Sequence, residues 1–332
     1  MRRLLSLVIL AAILWSGWWF VGSRGVKTGL ALWLDARRAE GWVAEASEIA
    51  MRGFPNRFDL TVENPTLADP DTGLSWQAPF LQVFALSYKP HHMIVTWPNE
   101  QLLTTPFEKL RVTSDKMQGS AVFDPGPDLA ADRMTVIADA FRIASTQGWW
   151  AELPQARLAA RRHEGAETIY DVALDASEAR LSEDIRAIFS QVALPEAVEA
   201  LKFDATMAFD APWDRYAIER ARPQVTSLDL KLAEMKWGGI HLQAAGQLSV
   251  DADGLPTGEI GVRATNWREL LQIAVSTGAL PADLAPAVET GLSLLAGISG
   301  NADTIDAPLS FRNGRMSLGP VPLGPAPVLR IR

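Results

Sequence analysis

Hydrophobic and polar positions follow three distinct rhythms along the chain. The first is a block: Leu4 to Gly22 (LLSLVILAAILWSGWWFVG) runs 19 residues without a charge. As a helix this block is ~28 Å long, close to the ~30 Å hydrocarbon core of a bilayer. Arg2 and Arg3 precede it, and Trp15, Trp18, Trp19 and Phe20 crowd its far end, where indoles favour the headgroup layer. The pattern predicts a cytoplasmic tail over 1–3 and a transmembrane signal-anchor over 4–22. A cleaved signal peptide is the competing reading. It calls for an apolar stretch of about 7–15 residues and an Ala-x-Ala-like site, whereas this stretch is longer and leaves through tryptophans.

The second rhythm is helical. From Val26 to Arg38, apolar Val26, Leu30 and Leu34, with Trp33, fall on one side, predicting a juxtamembrane helix within 23–41. The third rhythm, of period two, dominates residues 42–332. Phe58, Leu60 and Val62 alternate with charged or hydroxyl residues over Arg57–Glu63, and the same pattern recurs over Lys116–Phe123, Tyr170–Ala176 and Phe203–Phe209. Strict alternation marks a strand with one buried face.

Val225 to Thr265 is the best-patterned stretch. Leu228, Leu230 and Leu232 alternate with Asp229 and Lys231; after Trp237-Gly238-Gly239 come Ile240, Leu242, Ala244, Gly246, Leu248 and Val250; after the Asp251–Gly254 turn come Ile260, Val262 and Ala264. This predicts a three-strand antiparallel meander with one apolar face. Asn266 and Glu269 have the spacing of a capping box ahead of a helix over Leu270–Ser276, and a second helix is expected over Pro281–Leu295, its start set or kinked by Pro286. Asn313-Gly314 between Leu309/Phe311 and Met316/Leu318 is a strong hairpin signal that pairs Phe311 with Met316. Pro320–Pro327 reads as an extended close. The fold class is therefore mainly β (α+β): curved antiparallel sheet with a few helices, preceded by one N-terminal transmembrane helix. Helical patterning in Ala179–Val198 suggests a soft boundary between two β-rich halves.

Composition narrows the function classes. The chain has 332 residues, 48% of them hydrophobic, no cysteine, and 31 Lys+Arg against 39 Asp+Glu. Disulfides, thiolate nucleophiles and cysteine-based metal sites are excluded. The acidic balance argues against nucleic acid as a partner. Residues 1–27 hold four of the basic residues and no acid, so the remainder carries 27 basic against 39 acidic residues. A body at −12 has no electrostatic attraction to anionic headgroups, so any lipid contact must be apolar.

Catalytic patterns are missing: there is no Gly-x-Ser-x-Gly, His-Glu-x-x-His, phosphate loop or Gly-x-Gly turn, and the chain reads as neither an enzyme nor a cofactor binder. His91 and His92 are adjacent after Pro90 and read as a loop; as strand neighbours they would face opposite ways and could not share an ion. His241 falls on the polar side of its strand, and His163 in an exposed turn. Asp69-Pro-Asp71-Thr-Gly73 lacks the later ligands of a calcium loop, as does Asp251/Asp253, so both read as turns. Arg157, Arg161 and Arg162 form the one basic cluster, a conceivable phosphate-headgroup site with a solvated strand end as its plain reading.

The apolar alternation has two readings: a closed core, or a groove for acyl chains lined by Leu228, Leu230, Leu232, Ile240, Leu242, Leu248, Val250, Ile260 and Val262. Each buried CH₂ contributes about 0.8 kcal/mol, so a chain could be held without a charged site. Small residues on that face (Ala205, Ala244, Gly246, Ala264) leave room either for a ligand or for tight packing.

The N-terminal anchor, the Gly53-Phe-Pro-Asn-Arg57 segment and the closing run from Pro308 to Pro327 together resemble the domain of unknown function family 2125, over nearly the whole chain. That family supplies no catalytic residues to carry over. More distantly, the anchor, β-rich body and late Asn-Gly hairpin resemble AsmA-type envelope proteins. That likeness implies a bacterial inner-membrane, single-pass protein with its body in the periplasm, acting in envelope lipid handling with phospholipid as a partner. The alternative is a non-enzymatic scaffold or assembly factor with an envelope protein partner.

Overall fold

The computed structural model describes residues 1–189, 194–278, 280–298 and 301–331. It opens with one continuous helix, α1 (Arg2–Ala39), so the apolar segment and the juxtamembrane stretch are not separate elements. No proline interrupts them, and isolated glycines lower helix stability by ~1 kcal/mol each without ending a helix. Trp19, Ser23 and Leu34 are buried along one stripe, with Leu30 half-buried, while Val26 and Trp33, grouped with Leu30 and Leu34 on one side by the sequence, are exposed.

The chain divides into two compact units, one of residues 1–123 and 136–147, the other of residues 124–135 and 148–332. The first unit holds α1 and the strands β1 (Val43–Glu45), β2 (Glu48–Arg52), β3 (Arg57–Glu63), β4 (Thr66–Asp69), β5 (Leu74–Gln77), β6 (Phe80–Leu86), β7 (Lys89–Trp97), β8 (Glu100–Thr104), β9 (Lys109–Thr113) and β10 (Lys116–Phe123), with most of β11 (Ala131–Ser145). Two antiparallel runs organise them: β2–β3–β6–β7–β10, and β1–β4–β5–β8–β9–β11. The alternation over 57–63 appears as predicted, with Phe58, Leu60 and Val62 buried in β3. His91 and His92 lie in β7 rather than in a loop, because Pro90 sits near the strand's start, where a missing N–H is tolerated.

The second unit is a meander in chain order: β12 (Trp150–Arg162), β13 (Ile169–Leu181), β14 (Ala197–Phe209), β15 (Val225–Trp237), β16 (Ile240–Val250), β17 (Pro256–Thr265), β18 (Thr304–Arg312), β19 (Arg315–Leu318) and β20 (Val321–Pro325), each antiparallel to the next. Among the described residues, the helices α2 (Glu183–Phe189), α3 (Tyr216–Glu219), α4 (Trp267–Ser276) and α5 (Ala285–Ile298) accompany it. The stretch 179–198 thus lies inside this unit, running from the end of β13 to the start of β14, two strands that pair with each other; residues 190–193 lie outside the described residues, and among the rest of it Glu183–Phe189 is helix. The second predicted helix begins at Ala285 rather than Pro281. Pro286 then falls in the first turn, where its missing N–H has no intrahelical role.

Register carries one apolar row across the second unit. Ala160 pairs with Val172, then Ala205, Leu230, Gly246, Ile260, Leu309 and Leu318 follow as successive partners. Beside it run Tyr170, Met207, Leu228 and Leu248, and further on Phe311 opposite Met316, as the Asn313-Gly314 turn requires. Leu232 departs from the row. A bulge puts two residues, Lys231 and Leu232, between Leu230 and Ala233, so Leu232 stands opposite Asp204 and Ala233 takes its place in the core.

Candidate functional site

The far end of this sheet is roofed by its own helices. Ala264, Ile305 and Ala307 from β17 and β18 form a core with Trp267, Leu280, Val288, Leu292 and Ala296 from the helices and their connection, with Val321 of β20. The helices do not close down fully on the strands. Between them lies a cavity of about 370 Å³, floored by Leu242, Val262, Ile305, Leu309, Met316, Leu318 and Leu323 and roofed by Leu270, Leu271, Ala274, Leu280, Val288 and Leu292. Among the described residues that line it, none carries a charged side chain. The indole N–H of Trp267 is satisfied at 3.0 Å by the Ala302 carbonyl, leaving the ring to the apolar interior.

Of the predicted groove residues, Leu242 and Val262 reach this cavity. Leu228, Leu230, Leu248 and Ile260 instead pack into an adjoining core with Ala205, Phe311 and Ala326. Ile240 joins Trp237, Leu194 and Val198 in a third cluster beside α2. Val250 is buried opposite Pro256, and Leu232 lies off the apolar row. The helical lining was the part missed as a site, although Leu270, Leu271 and Ala274 already show the spacing of one inward helix face. Room foreseen at Gly246 is not available to a ligand, since a Cβ there would stand 2.3 Å from the Glu259 carbonyl oxygen.

In the first unit, the tryptophans of α1 are tied to the β-body. Trp19 donates to the Arg57 carbonyl at 2.6 Å, Trp18 to the Ser87 carbonyl at 2.8 Å and Trp15 to Asn56 Oδ1 at 3.1 Å. Trp19 stacks on Phe58 and meets Phe54 edge-on. Ser87, fully buried, joins the two turns by donating its hydroxyl to the Pro55 carbonyl at 3.0 Å. A second groove, of about 700 Å³, starts beside these turns at Arg57 and Leu86 and runs over β6, β7 and β10 past Phe84, Ile94 and Ala121. α1 itself is long and apolar enough to cross a membrane once.

Polar groups gather on the other side of the second unit's sheet. Asp171 accepts from the Thr206 hydroxyl at 2.6 Å and lies near His163, Arg161 and Lys231. These contacts, Thr206 first, hold its carboxyl down at about 2. Thr206 donates to the carboxylate and not to His163, so there is no hydroxyl–imidazole relay of the kind that activates a nucleophile. Glu234 is likewise kept below the usual carboxylate range, chiefly by His241 at 2.8 Å.

The predicted basic cluster is divided among acids. Arg162 grips Asp124 with two bonds of 2.7 and 2.8 Å, Arg161 faces Asp171, and Arg157 stands opposite Asp175. Asp69 accepts from the Asp71 amide and the Thr72 hydroxyl, and Asp251 from the Asp253 and Leu255 amides, as turns do. Among the described residues, no group of three or more His, Asp or Glu is placed to hold a metal ion.

A family model described as an uncharacterized protein conserved in bacteria (DUF2125) matches residues 19–327. The chain belongs to this family. No curated protein and no solved structure matches the chain. The two segments beyond the anchor that carry the family likeness have definite structural work. Gly53–Arg57 is the turn that receives Trp15 and Trp19, with Gly53 at φ +93° where a Cβ would strike Arg57 at 2.8 Å. Pro308–Pro327 supplies most of β18 with all of β19 and β20, including Leu309, Met316, Leu318 and Leu323 of the cavity floor.

Proposed function

We propose that the protein is a non-catalytic, single-pass protein of the bacterial inner membrane whose periplasmic β-rich body binds lipid acyl chains in envelope lipid handling. The observation that carries this reading is the cavity beneath α4 and α5, of about 370 Å³ and with no charged side chain among its described lining residues. Its volume is within the ~300–1,000 Å³ of small-molecule sites. Water occupies about 30 Å³ in the liquid and a methylene is of similar size, so the cavity accepts on the order of ten methylenes. At about 0.8 kcal/mol each, these contribute roughly 8 kcal/mol before ordering costs. The anchor-like α1 supports a bilayer as the source of such chains. The resemblance to AsmA-type proteins points the same way, and the mutual pairing of the polar side chains supports binding over catalysis.

The test is photocrosslinking of the full chain in membranes containing a phospholipid with a diazirine near the end of one acyl chain. Adducts on peptides from α4 and α5 are expected. Adducts confined to α1 overturn the reading, because α1 would contact bulk lipid whatever the body does.

A further inference from the structure

The free part of α1 is too short to cross a bilayer without taking the body with it. Leu4 to Leu14, all exposed, measure ~16 Å as helix, about half of a ~30 Å hydrocarbon core. The next residues, Trp15, Trp18 and Trp19, are already bonded to Asn56, Ser87 and Arg57. With Leu4 at the inner edge of the core, Trp19 lies ~22 Å across it, so a spanning α1 draws these two body turns into the outer leaflet, just below the membrane–water interface.

The turns are built for that depth. Phe54 is 53% exposed and Tyr88 55%, and Leu86 and Phe20 are exposed beside them. Phe20 and Phe54 rings lie 5.5 Å apart, and Trp15 and Tyr88 6.4 Å, so helix and body aromatics form one collar. Aromatic rings with one wet edge favour the interface, and along α1 Arg24 and Lys27 follow Trp19 by ~7 and ~12 Å, at the level of phosphate headgroups. The opposite end of this unit is different. Gly41, just beyond α1 and ~33 Å along the helix axis from Trp19, approaches Pro70, and Gly73 of the same turn approaches Pro106, the neighbour of the exposed Phe107.

We propose that Phe20, Phe54, Leu86 and Tyr88 form a collar that inserts into the phospholipid interface of the membrane spanned by α1, seating the first unit directly on the bilayer. This rests on α1 spanning the membrane.

The chain has no cysteine, so single labels are clean. Full-length Leu10→Cys, Phe54→Cys, Tyr88→Cys and Phe107→Cys variants, labelled with NBD, are reconstituted in phosphatidylethanolamine–phosphatidylglycerol vesicles containing lipids brominated at different depths. Strong quenching is expected at position 10, quenching by shallow bromines at 54 and 88 several-fold above that at 107, and almost none at 107. Quenching at 10 with 54 and 88 as dark to bromine as 107 overturns the collar alone. An unquenched label at 10 overturns the spanning helix and the collar together. Should Phe54→Cys fail to fold, Leu86→Cys takes its place in the collar: shallow quenching there supports insertion, and none overturns it.

Discussion

The Trp19 indole N–H and the Arg57 carbonyl oxygen are 2.6 Å apart, and this bond fastens a mostly exposed helix to the first turn of β3. The ring adds more than the bond does, since it is buried against Phe58 and Phe54. Trp19→Ala is expected to destabilise the first unit by about 3–5 kcal/mol, as large aromatic truncations do. Trp19→Phe keeps the packing and loses one hydrogen bond, about 1 kcal/mol. Denaturant titration in detergent, read by the remaining tryptophan fluorescence, checks the order Ala far below Phe. Equal losses would mean the N–H, not the ring, holds the helix.

The cavity allows a test that separates binding from folding. Ala274 lines it and is half-buried, so a larger apolar side chain at this position has the cavity to extend into. Ala274→Leu is expected to leave the melting temperature unchanged or slightly raised, while diazirine-lipid adducts on α4 and α5 fall several-fold. Leu292→Ala, at a buried position of the same wall, is expected to cost about 2–5 kcal/mol and to leave those adducts in place.

Two glycines of the β16–β17 pair should behave oppositely. At Gly246 a new Cβ meets the Glu259 carbonyl oxygen at 2.3 Å and the Ile260 Cα at 2.6 Å, both backbone atoms. At Gly261 its nearest neighbour is the Ala245 carbonyl oxygen at 3.6 Å, an ordinary contact. Gly246→Ala is expected to destabilise by about 1–3 kcal/mol through overpacking, and Gly261→Ala to be neutral or slightly stabilising through its unfolded state. Thermal melts of the two variants decide it.

Much of this architecture is legible in the sequence because a period of two is a local signal. Phe58, Leu60 and Val62 had only to alternate, and Phe311 had only to face Met316 across Asn-Gly. What escaped depends on contacts between distant segments. Leu232 looks identical to Leu228 and Leu230 until a bulge opposite Ala245 turns it to the side of Asp204. Asn266 has the capping spacing, yet its backbone is left-handed at φ 52°, it caps no amide, and its side chain donates to the Gly239 carbonyl at 2.8 Å. The tie to the β15–β16 turn wins over the local cap. The sequence suggests a headgroup layer for the tryptophans but does not reveal them as donors to Asn56, Arg57 and Ser87, since those partners lie 38 to 69 residues away. The cavity needed α4 and α5 set upon the sheet, a placement no periodicity encodes.

Acid should loosen the second unit through Asp171. Its carboxyl is held at about 2, first by the Thr206 hydroxyl and then by His163, Arg161 and Lys231, against the raising effect of burial. An unfolded aspartate titrates near ~3.9. Because the folded value is the lower one, the ionised group's stabilisation is complete above ~4 and is lost as pH falls toward 2. Asp171→Asn lacks that contribution at every pH. The wild-type chain is therefore expected to melt higher than Asp171→Asn at pH 6, with the gap narrowing steadily between pH 4 and 2. Thermal melts of both chains at matched ionic strength measure this, and a gap that stays constant down to pH 2 would assign the loss to packing rather than to the carboxylate's charge.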